Sequence, residues 1–296
     1  MARRDRHPST MLRAASRWLA ALAIAFGLAG CGLGLGLVYP RLDTVVGFYI
    51  EGLVTLDPAP ATMLKRTLAG NLEWHRESEL ERYAAFLREM ADSIGDGAPR
   101  DDWLSAARRT EEYWRDIFEQ AAPGYTSLAA TFTDAQVEEL LANLERQDEE
   151  AWREFEDRTP SRRQARREKS LRRAVERFTG ALSPGQRALV REHVAGSPSF
   201  MVEWRENRRV WRDALADALA IRSRGAEFES RMFVLVARPD DLWTPRYRAA
   251  FESRRDSLAD LFAALDATLT PGQRAAARRE LLALADEVQG LTRGRG

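Results

Sequence analysis

The feature of this sequence that most constrains its fold is a proline that repeatedly follows a short, oxygen-bearing side chain. Aspartate, serine or threonine at such a position can accept hydrogen bonds from the free amides of a first helical turn, and proline at the next position loses no helical hydrogen bond. Each pair therefore predicts where a helix begins. The six pairs are Asp57-Pro58, Thr159-Pro160, Ser183-Pro184, Ser197-Pro198, Thr244-Pro245 and Thr270-Pro271.

Apolar residues between these sites recur at intervals of three and four, which is the spacing of an amphipathic helix, and no alternating strand pattern is evident after residue 41. The sequence therefore predicts an all-α fold, an elongated multi-helix bundle of capped amphipathic helices. Gly95-Asp96-Gly97 and Pro123-Gly124 are predicted as loops. The predicted helices are 41–55, 58–94, 99–122, 134–157, 160–180, 184–195, 198–223, 226–237, 245–268 and 271–291.

A short motif occurs three times and combines an apolar residue, a capping residue and a glutamine three positions after the cap. It has the form of a capping box, in which the hydroxyl caps the helix and the glutamine reaches back to the cap amide. The motif predicts that Thr133, Ser183 and Thr270 each precede a helix by one residue. It also resembles the Leu-Thr-x-x-Gln motif of the Spy-type periplasmic chaperones, which are small cradles of helices.

The first thirty residues have the composition of a secretory signal, with five arginines against one aspartate and then an uncharged apolar run from Trp18. Leu28-Ala29-Gly30-Cys31 resembles the lipobox of bacterial lipoproteins, and Cys31 is the only cysteine. The resemblance implies cleavage before Cys31 and lipidation of that residue. Glycine rather than aspartate at position 32 implies sorting to the outer membrane, facing the periplasm. An uncleaved membrane span over 18–38 is the alternative.

The charge balance of the mature chain argues against a nucleic-acid partner, because removal of the signal leaves 40 basic and 44 acidic residues. Three histidines and one cysteine argue against a zinc site or a disulfide framework, and no cofactor is predicted. The predicted organisation is a lipoprotein signal peptide at 1–30, a lipid-anchored segment with a short helix at 31–57, and an all-helical periplasmic domain at 58–296.

Residues 56–88 carry a further resemblance. Leu56-Asp57, Trp74-His75-Arg76 and Arg82-Tyr83-Ala84, together with the lipobox and the stretch 173–180, resemble a family of uncharacterised helical proteobacterial lipoproteins. This resemblance spans most of the mature chain. It implies a location and a fold, and it carries no activity.

The candidate interaction face consists of Trp74, His75, Arg82 and Tyr83, which fall within three turns of one predicted helix. His75, Glu79 and Arg82 are spaced by four and three residues and share one face, so a histidine–carboxylate pair could transfer protons there. No recognisable nucleophile or metal-ligand arrangement accompanies them, and no catalytic residue is predicted. The favoured interpretation is a set of side chains packed at a helix interface.

Two adjacent segments carry opposite charge. Residues 134–157 hold ten acids and two arginines, whereas residues 158–177 hold nine bases and two acids. The sign reverses at Thr159-Pro160, which predicts an antiparallel helix pair with facing charges. One continuous helix kinked at Pro160 is the competing geometry.

These patterns together predict a non-catalytic outer-membrane lipoprotein that binds other proteins in the periplasm, either as a holdase-like chaperone or as an adaptor. The expected partners are the membrane, through the anchor at Cys31, and a protein. The alternative function is an envelope enzyme that uses His75 with a nearby carboxylate. An exposed apolar or arginine-lined groove would favour the chaperone, and a cavity converging on His75 would favour the enzyme.

Overall fold

The structure, a computed structural model, describes residues 35–293. Every regular element in this range is helical, which confirms the predicted all-α fold and gives a multi-helix bundle. Cys31 and the signal predicted at 1–30 lie outside the described residues. Within 35–293, no helix has both the length and the apolar character that crossing a bilayer requires.

The helix starts agree closely with those predicted from the sequence. Short helical turns at Leu35–Val38 and Tyr39–Arg41 precede α1, a π-helical turn at His75–Glu79 joins α2 to α3, and a 3-10 turn at Pro239–Leu242 precedes α10. The helices are α1 (Leu42–Glu51), α2 (Pro58–Trp74), α3 (Leu80–Asp96), α4 (Arg100–Ala130), α5 (Asp134–Glu156), α6 (Pro160–Thr179), α7 (Pro184–Gly196), α8 (Met201–Ala220), α9 (Ala226–Ala237), α10 (Pro245–Asp266) and α11 (Pro271–Arg293).

The three predicted capping boxes are confirmed. Thr133, Ser183 and Thr270 each stand one residue before a helix, and each hydroxyl accepts from the amide three residues later at 3.2–3.3 Å. In return, the amide of each cap donates to its glutamine side chain at 2.9–3.1 Å. Two free amides of each first turn are thereby satisfied.

The prediction that Ser197-Pro198 begins a helix is wrong. α8 begins at Met201, and Phe200 occupies the cap position without a side-chain hydrogen bond. The Ser197 hydroxyl instead meets the hydroxyl of Ser257 at 3.2 Å, and the Ser197 carbonyl accepts from Arg167 at 2.6 Å. Ser197 is therefore held by tertiary contacts at the end of α7 and does not cap the start of α8.

The predicted loop at Pro123-Gly124 is also wrong, because α4 continues through both residues to Ala130. Proline inside a helix removes one backbone hydrogen bond and crowds the preceding turn. Burial offsets this cost, since Ala121, Ala122, Leu128 and Ala129 are all at most 6% exposed. Packing on both sides of the proline therefore keeps the helix continuous.

The predicted antiparallel pair of α5 and α6 is wrong as well. Thr159 leaves the helical region at φ −59° and ψ 152°, which excludes one continuous helix. However, α5 and α6 do not pair with each other: α5 packs against α8, and α6 packs against α7 and α11. The apolar faces belong to different clusters: Leu144 contacts a core that includes Leu215, whereas Val175 packs with Leu261. The two helices therefore have separate partners.

The acids of α5 meet arginines of α8 instead. Asp148 is 5% exposed and accepts from Arg208 at 3.1 Å and also from Arg212. Arg205 pairs with Glu149 at 2.8 Å. Opposite charge therefore orients the acidic helix α5, but the basic helix that pairs with it is α8 and not the adjacent α6.

A second group of helices surrounds an apolar cavity. α3 and α11 pack along one another, α6 lies against α11, and α4 lies against α10. The contacts of α3 with α11 bury Leu80, Ala84 and Ala285 completely, at 0% exposed. This pairing fixes one wall of the cavity.

Candidate functional site: an apolar cavity

An apolar cavity of about 640 Å³ lies between α3, α4, α6, α10 and α11 and opens to solvent. This volume falls within the roughly 300–1,000 Å³ that sites for small molecules occupy. Its walls are mainly aliphatic and aromatic side chains. The aromatic residues are Phe86, Trp103, Phe178, Phe200, Phe251 and Phe262.

Helical spacing explains how the walls form. On α10, Phe251, Leu258, Phe262 and Leu265 follow steps of seven, four and three, so they share one face of the helix. Facing positions on α4 and α6 include small residues such as Ala174, which leave the centre unfilled. The cavity thus results from large side chains on some walls and alanines on others.

Most polar groups of the lining are already satisfied by the protein. The hydroxyls of Thr110 and Thr179 each donate to the carbonyl four residues earlier in their own helices, at 2.9 and 3.1 Å. The buried carboxylate of Asp266 accepts from Arg274 at 3.0 Å. The polar side chains of these three residues are therefore hydrogen-bonded without a ligand in the cavity.

Two arginines of the lining differ in their partners. Arg255 forms an ion pair with Glu111 at 3.4 Å, which compensates both charges. Arg254 has no hydrogen bond or ion pair among the residues the structure describes; its guanidinium lies over the Phe200 ring at 5.1 Å. Burial and the nearby Arg167 charge lower the pKa of Arg254, yet the group remains a cation near neutral pH.

A second polar group of the lining also lacks a partner. The indole N–H of Trp103 is buried and makes no hydrogen bond within residues 35–293. Its ring packs against Phe262 with 5.1 Å between ring centroids. Arg255 Nε is likewise buried without a hydrogen bond, so among residues 35–293 the lining combines apolar walls with the unpaired Arg254 cation and these two unused donors.

The predicted interaction face lies elsewhere, around the π-helical turn. The Tyr39 hydroxyl and His75 Nδ1 are 2.9 Å apart, and the His75 ring meets the buried Tyr83 edge-on at 5.4 Å between centroids. Burial lowers the pKa of His75 to about 4 and raises that of Tyr39 to about 12. At neutral pH both groups are therefore uncharged, and the tautomer of the imidazole sets which of the two donates.

The remaining members of that face also have partners within the protein. Arg82 donates to Glu79 and to Asp116, each at 2.8 Å, and the hydrogen bond to Asp116 is the main cause that raises the Arg82 pKa. The carboxylate of Glu79 is 2% exposed. Trp74 contacts His75 edge-on at 6.4 Å between centroids.

The four predicted residues therefore come together in space but do not present one exposed surface. Tyr83 is 9% exposed and His75 is half-buried, whereas Arg82 reaches solvent as an ion-paired side chain. The packing interpretation describes this arrangement well. The cavity was not predicted from the sequence, because its lining combines five helices from three separate parts of the chain. A common apolar face on each helix was the available signal.

No curated protein matches this chain, and no solved structure matches it. A family model matches residues 54–248, more than half of the chain, and this range contains the predicted face at residues 74–83. Arg254 lies beyond the matched range. The resemblance to an uncharacterised helical family is thereby confirmed, and the chain belongs to DUF6279, a family of unknown function.

Proposed function

We propose that this chain is a non-catalytic lipoprotein of the outer membrane, facing the periplasm, whose helical body binds apolar groups of other envelope molecules. The cavity between α3, α4, α6, α10 and α11 is the observation that supports this function. It is open to solvent, mostly apolar and bordered by Arg254 and Arg255. An apolar guest would release ordered water from these walls, and this supplies the driving force for binding.

The cavity favours a holdase-like role over a purely adaptor role. A holdase needs an apolar surface that is accessible to a guest and does not collapse in its absence. The helices around the cavity are held by ion pairs such as Arg274 with Asp266 and by the contact of α3 with α11. These contacts stabilise the walls of the cavity.

A protein partner is also part of this proposal, and it would contact the outside of the bundle. Trp114 and Phe118 are 36% and 40% exposed and stack on the surface of α4, with 5.9 Å between ring centroids. Exposed aromatic pairs of this kind are common anchors in protein interfaces. An envelope protein that carries or delivers the guest would fit this patch.

The alternative, an enzyme that uses His75, has less support. His75 Nδ1 is hydrogen-bonded to Tyr39, and a pKa of about 4 makes the imidazole a weak base. His75 does not line the apolar cavity. No group of three metal-ligating side chains occurs within residues 35–293. We therefore keep the binding function as the proposal.

Location is tested by Cys31→Ser. Mass spectrometry of the wild-type protein should show an acylated N-terminal Cys31. The protein should also fractionate with the outer membrane, because several acyl chains on one cysteine give stable anchoring. The variant should lose acylation and leave that fraction. Retention of an uncleaved, full-level Cys31→Ser protein in the membrane would support a signal anchor instead.

Apolar binding is tested with a fluorescent apolar dye, anilinonaphthalene sulfonate, on the purified full protein. Ala174→Trp places a large side chain in the cavity and should remove most of the dye fluorescence. Ala165→Trp on the exposed face of the same helix is the matched control and should leave it unchanged. Unfolding curves of both variants show that they are folded. Equal fluorescence from the two variants would overturn the cavity as the binding site.

A further inference from the structure

The lining of the cavity restricts the chemistry of its guest, and this inference rests on the proposed binding function. Thr110, Thr179 and Asp266 have partners within the protein, and Glu111 is paired with Arg255. Among the described residues of the lining, Arg254, the Trp103 indole and Arg255 Nε are left to hydrogen-bond a guest, and all three are donors. A peptide backbone carries a donor and an acceptor at almost every residue. A peptide segment inside would leave most of these groups unpaired, which disfavours it strongly.

A hydrocarbon chain has no such requirement. Every methylene that enters the cavity leaves water for apolar walls, and the chain has no polar groups to satisfy. Flexible methylenes also adapt to an irregular space between Phe178, Phe251 and Phe262. The walls therefore favour an acyl chain over a peptide.

The length of the cavity fits one acyl chain. Its wall on α10 extends from Phe251 to Leu265, which corresponds to about 21 Å of helix. One leaflet of a bilayer, half of a hydrocarbon core of about 30 Å, is roughly 15 Å thick. A single extended chain of membrane-lipid length can therefore lie along α10.

Arg254 indicates which chemical group the guest carries at the end opposite to its apolar chain. It is the only charged residue of the lining that has no ion pair or hydrogen bond within residues 35–293. Arg254 is partly exposed and lies four residues before Leu258 on the face of α10 that borders the cavity. A planar guanidinium binds a carboxylate through two parallel hydrogen bonds. An anionic group on the guest would thus compensate the free charge.

We propose that the cavity binds a long-chain fatty acid, with the acyl chain along α10 and the carboxylate on Arg254. The Glu111 carboxylate does not oppose this arrangement, because Arg255 already compensates it. The guest is bound non-covalently, so no bond forms or breaks. The site is distinct from the predicted lipid anchor at Cys31.

The experiment uses the full lipidated protein in washed envelope vesicles without ATP, so that the probe is not built into other lipids. The probe is a 16-carbon fatty acid that carries a photoreactive diazirine in its chain and a terminal alkyne. After irradiation, labelled peptides are identified by mass spectrometry and the label is quantified. The expected labels fall on α3, α6 and α10. Labelling confined to residues 31–57 would overturn the proposal.

The head group is tested separately with Arg254→Gln. Loss of a charge-assisted contact should lower labelling by about tenfold at subsaturating probe. Arg254→Lys should restore much of it, and Arg246→Gln, an exposed arginine elsewhere on α10, should leave it unchanged. The corresponding fatty alcohol lacks the carboxylate, so its labelling of the wild type should be as weak as the labelling of Arg254→Gln by the acid. Equal labelling by acid and alcohol would overturn the role of Arg254 and the assignment of a fatty acid.

The chain-binding part is tested with the same pair of tryptophan variants. Ala174→Trp should abolish labelling, and Ala165→Trp should not. If the dye binds the cavity in the wild type but the fatty acid does not label it, the fatty-acid proposal fails while the binding function stands. If neither the dye nor the fatty acid responds to Ala174→Trp, both proposals fail.

Discussion

The side-chain amides of Gln186 and Gln273 are hydrogen-bonded to each other in both directions, each Nε2 donating to the other Oε1 at 2.9 Å. Each Oε1 also accepts from the amide of its own helix cap, Ser183 or Thr270. The glutamines of two capping boxes, 87 residues apart, thus join the starts of α7 and α11. A motif that begins a helix locally also connects two helices.

Gln186→Ala should destabilise the fold by about 2 kcal/mol, because Gln186 is 1% exposed and its loss leaves buried partners unsatisfied. Gln273→Ala should cost less, since Gln273 is partly exposed. The double variant should show a coupling of about 1 kcal/mol in the free energy of unfolding, measured by urea denaturation. Simple additivity of the two losses would contradict the paired amides.

Gly124→Ala should destabilise the protein by about 1 kcal/mol although alanine favours a helix more than glycine does. A Cβ at position 124 would overlap the side chain of Thr67 on the neighbouring α2. Gly70→Ala is the matched control, because a Cβ there meets nothing within 4 Å. It should be neutral or stabilising. Thermal unfolding of the two variants measures the difference, and equal shifts would argue against close packing at Gly124.

Asp148→Ala should lower the free energy of unfolding by about 3–5 kcal/mol, because it leaves two arginines of α8 without their buried partner. The side chain of Asp148 is 7% exposed and pairs with Arg208 and Arg212. Glu150→Ala, an exposed position on the same helix, should change stability by less than about 0.5 kcal/mol. Urea denaturation at neutral pH distinguishes them, and a loss below 1 kcal/mol for Asp148→Ala would be unexpected.

Acid should weaken the packing around His75. Its pKa falls from 6.5 to about 4 on folding, so the unfolded chain binds the proton more readily. The stabilising contribution of the neutral imidazole is therefore complete above pH 6.5 and is lost as the pH falls toward 4, by up to about 3 kcal/mol. His75→Asn retains an acceptor for Tyr39 but does not titrate. The difference in unfolding free energy between wild type and variant, measured from pH 7 to pH 4, should shrink or reverse with acid; a constant difference would contradict a buried neutral histidine.

The sequence by itself determined where helices begin. Thr133, Ser183 and Thr270 act on the amides of a single turn, and the proline after Ser183 and Thr270 fixes its own backbone, so these signals do not depend on the rest of the fold. The same locality explains the failure at Ser197. Capping requires that the chain enter the helix directly, and the contacts of Ser197 with Ser257 and Arg167 place it outside α8.

Only the tertiary structure decided which helix faces meet. Continuation of α4 through Pro123 depends on burial by other helices, and the acids of α5 pair with α8 because Leu144 and Leu215 share a core. The cavity has the same origin. Its lining comes from five helices, and their arrangement leaves Arg254 without an ion pair among residues 35–293. Local sequence patterns specify an amphipathic face, but the partner of that face is fixed by packing against side chains that are distant in the sequence.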